Sequence, residues 1–221
     1  MKLIERLKKD REIINKIDNK KDKYIYLWDY YKIPIVSVIL IFFIIIATIF
    51  STIEKKQEIL YVVLLNNDSS VVEVDESIFI NELSKTNIDT ENKTVDVNSY
   101  LSLGLDDGQD GETLQVLNAL FSLTDLDLFV SPKEYFDTFA SKDAFCDLSL
   151  LIDRELLDKH KDDLYIYEDS NNQKIVGGII LHSDSIIHKA GYYHNDVIIG
   201  ATSNGVNLEN AIAFITQILS D

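Results

Sequence analysis

Histidine and carboxylate side chains gather in the segment from residue 182 to residue 196. His182, His188 and His194 lie there, with Asp184 and Asp196 close in sequence. Imidazole nitrogens and carboxylate oxygens are ligands that bind zinc in proteins. However, no two of these histidines have the i, i+4 spacing that places two ligands on one helix face, and no H-E-x-x-H motif occurs. The pattern is typical of loop histidines in water, so we expect no metal site.

A second group of carboxylates lies in and directly after the turn LDDGQDG, namely Asp106, Asp107, Asp110 and Glu112. Calcium loops of the EF-hand type need oxygen ligands at fixed positions and a closing Glu at position 12. Here Gly108 stands where an oxygen ligand is needed, and no Glu closes the loop. We interpret the segment as a solvated turn in which Asp110 caps the next helix.

The sequence contains no recognisable catalytic set. It has no G-x-S-x-G, no P-loop and no G-x-G-x-x-G motif, and Gly177-Gly178 indicates a strand with close backbone approach. The single cysteine, Cys146, follows an apolar pair and is expected to be a small core residue. With His160 it could form a nucleophile and base, but no third group is evident. We therefore predict a protein that is not an enzyme and has no cofactor.

Apolar periodicity beyond Glu54 switches repeatedly between the strand and helix patterns. Strands are predicted at Ile59–Leu65, Thr94–Leu103, Leu126–Val130, Leu164–Glu168, Lys174–Leu181 and Asp196–Ala201. Helices are predicted to begin at caps formed by Asp75, Asp110, Ser131, Asp153 and Asn207. This alternation with short connections predicts one three-layer α/β domain with a mostly parallel sheet.

In open α/β sheets, ligands bind beyond the carboxyl ends of the strands. Three loops are expected there: Asn66–Ser70, Ser131–Pro132 and Ser203–Asn207. The candidate contact residues for a ligand or partner are Asn66, Asn67, Asp68, Ser69, Ser131, Ser203 and Asn204.

An apolar segment separates this domain from the N-terminal tail. Ile33–Ile53 contains 21 residues without a charge, and as a helix it is about 31 Å long, enough to span a bilayer core. It ends without an A-x-A-like cleavage motif, which favours a retained anchor over a cleaved signal peptide. We expect a tail at 1–32, either an amphipathic helix or frayed chain at its start, a transmembrane helix at 33–53 and a domain at 54–221.

Charge predicts the orientation in the membrane. Residues 1–53 carry 10 Lys/Arg and 6 Asp/Glu, whereas residues 54–221 carry 11 and 31, so the net charges are +4 and −20. The positive-inside rule then puts the N-terminus in the cytoplasm and the domain outside the cell membrane. Aromatic residues just before the span fit the headgroup level. They are Tyr24, Tyr26, Trp28, Tyr30 and Tyr31. The strong negative charge argues against nucleic acid as a partner.

Several runs of the outer domain resemble bacterial extracellular solute-binding proteins with the type II periplasmic-binding fold. These runs are LDLFVSPKEYFDTFASKDAFCDLSLLID, the hairpin ending IVGGIIL, and DVIIGATSNGVNLENAIAFITQIL. The resemblance covers about 58–221 and implies one lobe of that fold. A complete member has two lobes that close on a solute, whereas this chain has only HSDSIIHKAGYYHN where a second lobe would stand.

Three functions follow as hypotheses. The first is a single-pass membrane protein whose outer domain is a non-enzymatic interaction or ligand-binding module, with a membrane protein as one candidate partner. The second is an accessory solute receptor for an ABC-type transporter. The third is a cell-surface hydrolase or metal-dependent enzyme that depends on His182, His188 and His194.

Overall fold

The computed structural model describes residues 15–17, 19–53, 56–68, 75–104, 110–123 and 126–220. Within the N-terminal helix, side chains are described for 20–25, 28–29, 31–46 and 48. The chain forms two compact units, Met1–Lys55 and Lys56–Asp221.

The first unit contains one long helix, α1, which runs over Lys20–Ile53 and includes Pro34. Its apolar side chains lie exposed on all sides from Ile33 to Ile45. In the part of the chain that the structure describes, no helix is both long and apolar enough to cross a membrane.

The second unit is built on a mixed six-stranded sheet with the order β2-β1-β3-β6-β5-β4. The strands are β1 Gln57–Leu64, β2 Lys93–Asn98, β3 Leu128–Ser131, β4 Leu164–Glu168, β5 Lys174–Leu181 and β6 Val197–Ala201. β1 pairs in parallel with β2 and β3, whereas β6 runs antiparallel to β3, β5 antiparallel to β6, and β4 antiparallel to β5. The prediction of an α/β domain is confirmed, but the prediction of a mostly parallel sheet is wrong.

Helices and short 3-10 turns connect the strands. They are α2 Ser77–Ser84, α3 Asp110–Ser122, α4 Lys133–Ala140, α5 Arg154–Lys159, α6 Ile186–Lys189 and α7 Leu208–Ser220, with 3-10 turns at Leu148–Leu150 and Lys161–Asp163. Asp153 caps α5 as predicted, because its carboxylate accepts a hydrogen bond from the Glu155 amide at 2.7 Å. Asp75 similarly accepts from the Ser77 amide at 3.1 Å.

Two predicted caps are wrong in their details. Ser131 is the last residue of β3 and is fully buried, and Pro132 stands at the N-cap of α4 without a side-chain bond. Asp110 is the first residue of α3, and its carboxylate accepts from the Gly104 amide at 2.9 Å. In both cases a contact outside the helix occupies a group that the local pattern assigns to the helix. Asn207 does stand at the N-cap position of α7, as predicted, because its carbonyl oxygen accepts from the Ala211 amide at 3.0 Å. Its side chain donates to Asp127 at 3.0 Å.

Apolar side chains fill both faces of the sheet. On one face α2 and α7 pack together, with Phe79 and Phe214 stacked at 5.3 Å between ring centroids. On the other face α3 and α4 pack on the sheet. There Phe136 stacks on Phe145 with centroids 4.0 Å apart. Helices therefore cover the sheet on two sides.

Two glycines of the central strands make room for this aromatic face. A Cβ on Gly200 would lie 2.7 Å from the Phe136 ring, and one on Gly178 would lie 2.7 Å from the Ile199 carbonyl oxygen. These distances are shorter than side-chain carbons tolerate. The close backbone approach predicted for Gly177-Gly178 is confirmed.

A buried carboxylate, Asp127, joins the elements at the edge where β1 and β3 begin. Its oxygens accept from the Tyr61 amide at 2.8 Å, the Asn207 amide at 2.8 Å and the Asn207 side chain at 3.0 Å. Its backbone carbonyl accepts from the Thr202 amide, and Gly205 packs directly against it. β1, β3 and the loop before α7 are thereby fixed at one point.

We expect Asp127→Asn to lower the free energy of unfolding by about 2 kcal/mol, because the new amide NH₂ points at donors and leaves a buried N–H unpaired. Urea unfolding of the full-length protein in mild detergent, followed by circular dichroism, measures this. Asp96→Asn, at an exposed position in β2, is the matched control and should change stability by less than about 0.5 kcal/mol. Equal stability of both variants would contradict the role of Asp127.

Candidate functional site

The pairing directions decide which loops meet at each edge of the sheet. β1 and β3 end at the same edge at which β6 begins, because Ser131 pairs with Ile198. β5 ends and β4 begins there as well, since Leu181 pairs with Val197 and Leu164 with Ile179. The loops at this edge carry all four histidines of the chain, and we call it the histidine edge. They are His160, His182, His188 and His194.

Asn66 and Asn67 lie at the histidine edge but brace their own loop. Asn66 adopts a positive φ of 53°, a conformation that Asn tolerates. Its side chain donates to the Leu103 carbonyl at 2.8 Å and accepts from the Leu103 amide at 2.6 Å. The side-chain amide of Asn67 donates to the backbone carbonyls of Leu64 and Ser99. Both side chains are thus committed to the fold.

Asp68 contacts His194 at this edge. Its Oδ2 accepts from the His194 backbone amide at 2.7 Å and lies 3.0 Å from His194 Nδ1. Ser131 lies at the same edge, but its hydroxyl is buried and donates to the Pro132 carbonyl at 3.2 Å. Ser69 lies outside the described residues.

Ser203 and Asn204 lie at the opposite edge. β6 is antiparallel to β3, so the loop after Ala201 lies where β3 begins. There the Ser203 hydroxyl donates to the Ala144 carbonyl at 3.3 Å, and Asn204 donates to the Phe121 carbonyl at 3.3 Å. The prediction that three loops share one edge is therefore wrong for this loop.

His182 bridges two carboxylates at the histidine edge. Its Nδ1 lies 2.9 Å from Asp196 Oδ2 and its Nε2 lies 3.3 Å from Asp163 Oδ1. The other oxygen of Asp163 lies 3.3 Å from His160 Nδ1. One imidazole thus connects the start of β4, the end of β5 and the start of β6.

These contacts raise the pKa of His182. The hydrogen bond that the ring donates to Asp196 is the largest cause, and it outweighs the partial burial, which lowers the pKa. Asp163 adds to the rise. The protonated ring can donate to both carboxylates at once, whereas the neutral ring has a single N–H. His182 therefore holds the three strand ends together most strongly when it is charged.

His188 and Ser185 form a local pair. The Ser185 hydroxyl lies 2.7 Å from His188 Nδ1, and His188 Nε2 lies 2.8 Å from the Asn195 carbonyl oxygen. Since Nε2 must donate to the carbonyl, Nδ1 accepts from the hydroxyl. The same serine caps α6 by accepting from the His188 amide. The geometry serves the helix start and the loop that follows.

Tyr193 supports the histidine edge from a buried position. Its buried hydroxyl lies 2.8 Å from the Leu65 carbonyl oxygen and 3.2 Å from that of Val130. Burial raises the pKa of this phenol well above its ordinary value. It is a neutral donor that serves carbonyls at the ends of β1 and β3.

An open cleft of about 470 Å³ borders the histidine edge. Its charged and polar lining comes from α2, the turn before β4 and the segment around α6, and its apolar lining from the ends of β5 and α7. Glu82, Lys85, His182 and Lys189 contribute side chains to it. A volume of this size lies within the range of small-molecule sites.

The remaining chemical candidates do not assemble into a site. Cys146 packs against the core, and burial raises the pKa of its thiol to about 11, which suppresses the reactive thiolate. Asp106 and Asp107 lie outside the described residues. Within the described residues, no group of three or more His, Cys, Asp or Glu side chains is arranged to hold a metal ion.

Sequence reasoning missed the partnership of Asp163 and His160 with His182. The signal was present in the hairpin: when β4 and β5 pair in antiparallel fashion, the residue before β4 lies beside the end of β5. Aligning the predicted strands Leu164–Glu168 and Lys174–Leu181 would have placed Asp163 close to His182.

No family model, curated protein or solved structure matches this chain. The resemblance to one lobe of solute-binding proteins stays a prediction from short sequence runs.

We expect Asp196→Asn to lower the pKa of His182, because it removes the strongest stabilisation of the imidazolium. An NMR titration of the imidazole Cε1 protons, assigned with His182→Gln, measures this. Asp68→Asn is the matched control, since Asp68 contacts His194. An unchanged His182 pKa in Asp196→Asn would contradict the role of Asp196 in raising that pKa.

The same linkage predicts how stability depends on pH. Since the folded state raises the pKa of His182 above 6.5, its contribution is full below that value and is lost as the pH rises through the folded pKa. His182→Gln should therefore cost more stability at about pH 5.5 than at about pH 8.5. Urea unfolding at the two pH values tests the sign, and an equal or opposite difference would contradict it.

Proposed function

We propose that this protein is a single-pass membrane protein whose domain at 54–221 is a non-enzymatic binding module outside the cytoplasm. The module takes its ligand or partner in the cleft at the histidine edge. The observation that carries the proposal is this open cleft, which has charged and apolar walls and a volume of about 470 Å³.

The apolar surface of α1 supports a membrane anchor. Large apolar side chains are exposed on all sides of the helix from Ile33 to Ile45, and soluble monomers rarely leave such a surface in water. The hydroxyls of Ser37 and Thr48 donate to the carbonyls of Ile33 and Ile44, at 2.9 and 2.7 Å. Such intrahelical bonds are what a hydrocarbon environment requires of polar side chains.

The length of the segment supports a full span. Side chains are described without interruption over 31–46, a stretch of about 24 Å that is shorter than a bilayer core. The sequence continues the uncharged run to Ile53, and the full run has the length of the core, about 31 Å. The basic tail and the acidic domain then give the orientation by the positive-inside rule.

Binding fits the cleft better than catalysis does. Each imidazole at the edge is engaged by a carboxylate or a capping serine, and these bonds hold loops in place. The Cys146 thiol is held in its protonated form by burial. Rigid polar walls beside apolar ones are suited to recognising a ligand.

The alternative is a solute receptor that serves an ABC-type transporter. The cleft volume favours it, because it matches sites for small molecules. Such a receptor would hold a small solute and release it to a permease, whereas an interaction module would hold a protein.

We expect the domain to be outside the cell membrane. In a Cys146→Ala background, Asn171→Cys should react with a membrane-impermeant maleimide on intact cells, because the turn between β4 and β5 is exposed. Lys16→Cys, in the tail, is the matched position and should react only after permeabilisation. The reverse pattern would overturn the orientation, and labelling of both on intact cells would argue against a single span.

Filling the cleft should remove what it binds. Lys189→Trp places a large ring at an exposed position of the lining. Native mass spectrometry of full-length protein extracted from its own membranes should show a bound molecule or partner with the wild type and lose it with this variant. Leu150→Trp, at a highly exposed position away from the cleft lining, is the control. The same bound species in all three proteins, or none in any, would contradict binding in the cleft.

A further inference from the structure

We propose that the cleft at the histidine edge binds a linear zwitterion, in which an aliphatic chain carries an ammonium group at one end and a carboxylate group at the other. The inference rests on the proposed function, since it names the ligand class of the same cleft.

Most charges of the cleft lining neutralise one another. Lys85 Nζ lies 2.8 and 2.9 Å from the two oxygens of the buried Glu82. Asp163 contacts both His160 and His182 at 3.3 Å. These groups are paired within the protein and offer little unsatisfied charge to a ligand.

Two lining side chains of opposite sign differ from the rest. Asp184 and Lys189 both line the cleft and are exposed. Within the described residues, neither side chain has a hydrogen-bond or ion-pair partner. A ligand that supplies an ammonium to Asp184 and a carboxylate to Lys189 would satisfy both without disturbing the existing pairs.

These two residues belong to one short segment of the cleft lining. Asp184 immediately precedes Ser185, the N-cap of α6, and Lys189 is the last residue of that helix. They are therefore five positions apart along the chain. An extended six-carbon ω-amino acid, which carries its two charges about 7 Å apart, is a simple ligand of this class.

The lining between and beside the two charges favours an aliphatic chain. It includes Ile186, two positions after Asp184, and Ile218 and Leu219 from the end of α7. Methylene groups gain free energy on leaving water for such an apolar surface. A dipeptide of the same span would instead bury a peptide group that needs hydrogen-bond partners.

We expect 6-aminohexanoate to bind the full-length protein in mild detergent, measured by isothermal titration calorimetry. Hexanoate and hexylamine, which each lack one charge, should bind at least about tenfold more weakly, and so should Gly-Gly. Asp184→Asn and Lys189→Gln should each weaken 6-aminohexanoate at least about tenfold. Asp96→Asn and Lys174→Gln remove the same charges from exposed strand positions and should leave the affinity unchanged.

Equal binding of hexanoate and 6-aminohexanoate, or unchanged affinity in Asp184→Asn, would overturn the zwitterion. So would the absence of binding by all probes. If Lys189→Trp still removes a bound species from the native protein, the cleft remains a binding site and only the ligand class fails. If it removes nothing, the proposed function fails as well.

Discussion

The antiparallel pairing of β6 with β3 determines what lies at each edge of the sheet. β1, β2 and β3 are parallel, so the loops that follow these three strands lie at the same edge of the sheet. Because β6 is reversed, that edge also receives the segment before β6, with His194 and Asp196. β5 and β4 pair onward from β6, which brings His182 and Asp163 to the same place. A parallel β6 would have put the histidines and the loop ending β1 at opposite edges.

The opposite edge carries the bonds that make this arrangement rigid. Asp127 accepts three N–H groups there, and Thr202 bonds backward to the carbonyls of Leu126 and Asp127. A carboxylate is a suitable acceptor for several converging amides, since it offers two oxygens and about four lone pairs. The end of β6 is thus fixed beside the start of β3, and the reversal of the strand is held by buried hydrogen bonds.

The cleft lies in a domain that carries a strong negative charge. Residues 54–221 carry a net charge of −20, so negative charge surrounds most side chains on their surface. His182 lies between two carboxylates, which is the local form of the same effect. Among the described residues, Lys189 has no carboxylate partner although it lies in this acidic domain. The cleft combines this cation with Asp184 and with apolar walls, a pattern that fits a ligand carrying both charges.

The sequence by itself determined the local elements and the separation of an apolar N-terminal segment from an acidic α/β domain. Continuous β-branched runs such as 59–65, the hairpin around Asn171 and the Asp153 cap follow from contacts within a few residues, so their patterns can be read directly. The direction of β6, the burial of Ser131 and the bonding of Asn207 to Asp127 could not be predicted in this way. They depend on packing between segments far apart in the chain. The same holds for the candidate site: the histidines were visible as residues, but the contacts of His182 with Asp163 and Asp196 exist because three strand ends meet at one edge. Tertiary structure decided the site because its carboxylates and imidazoles are neighbours in space only after the sheet has assembled.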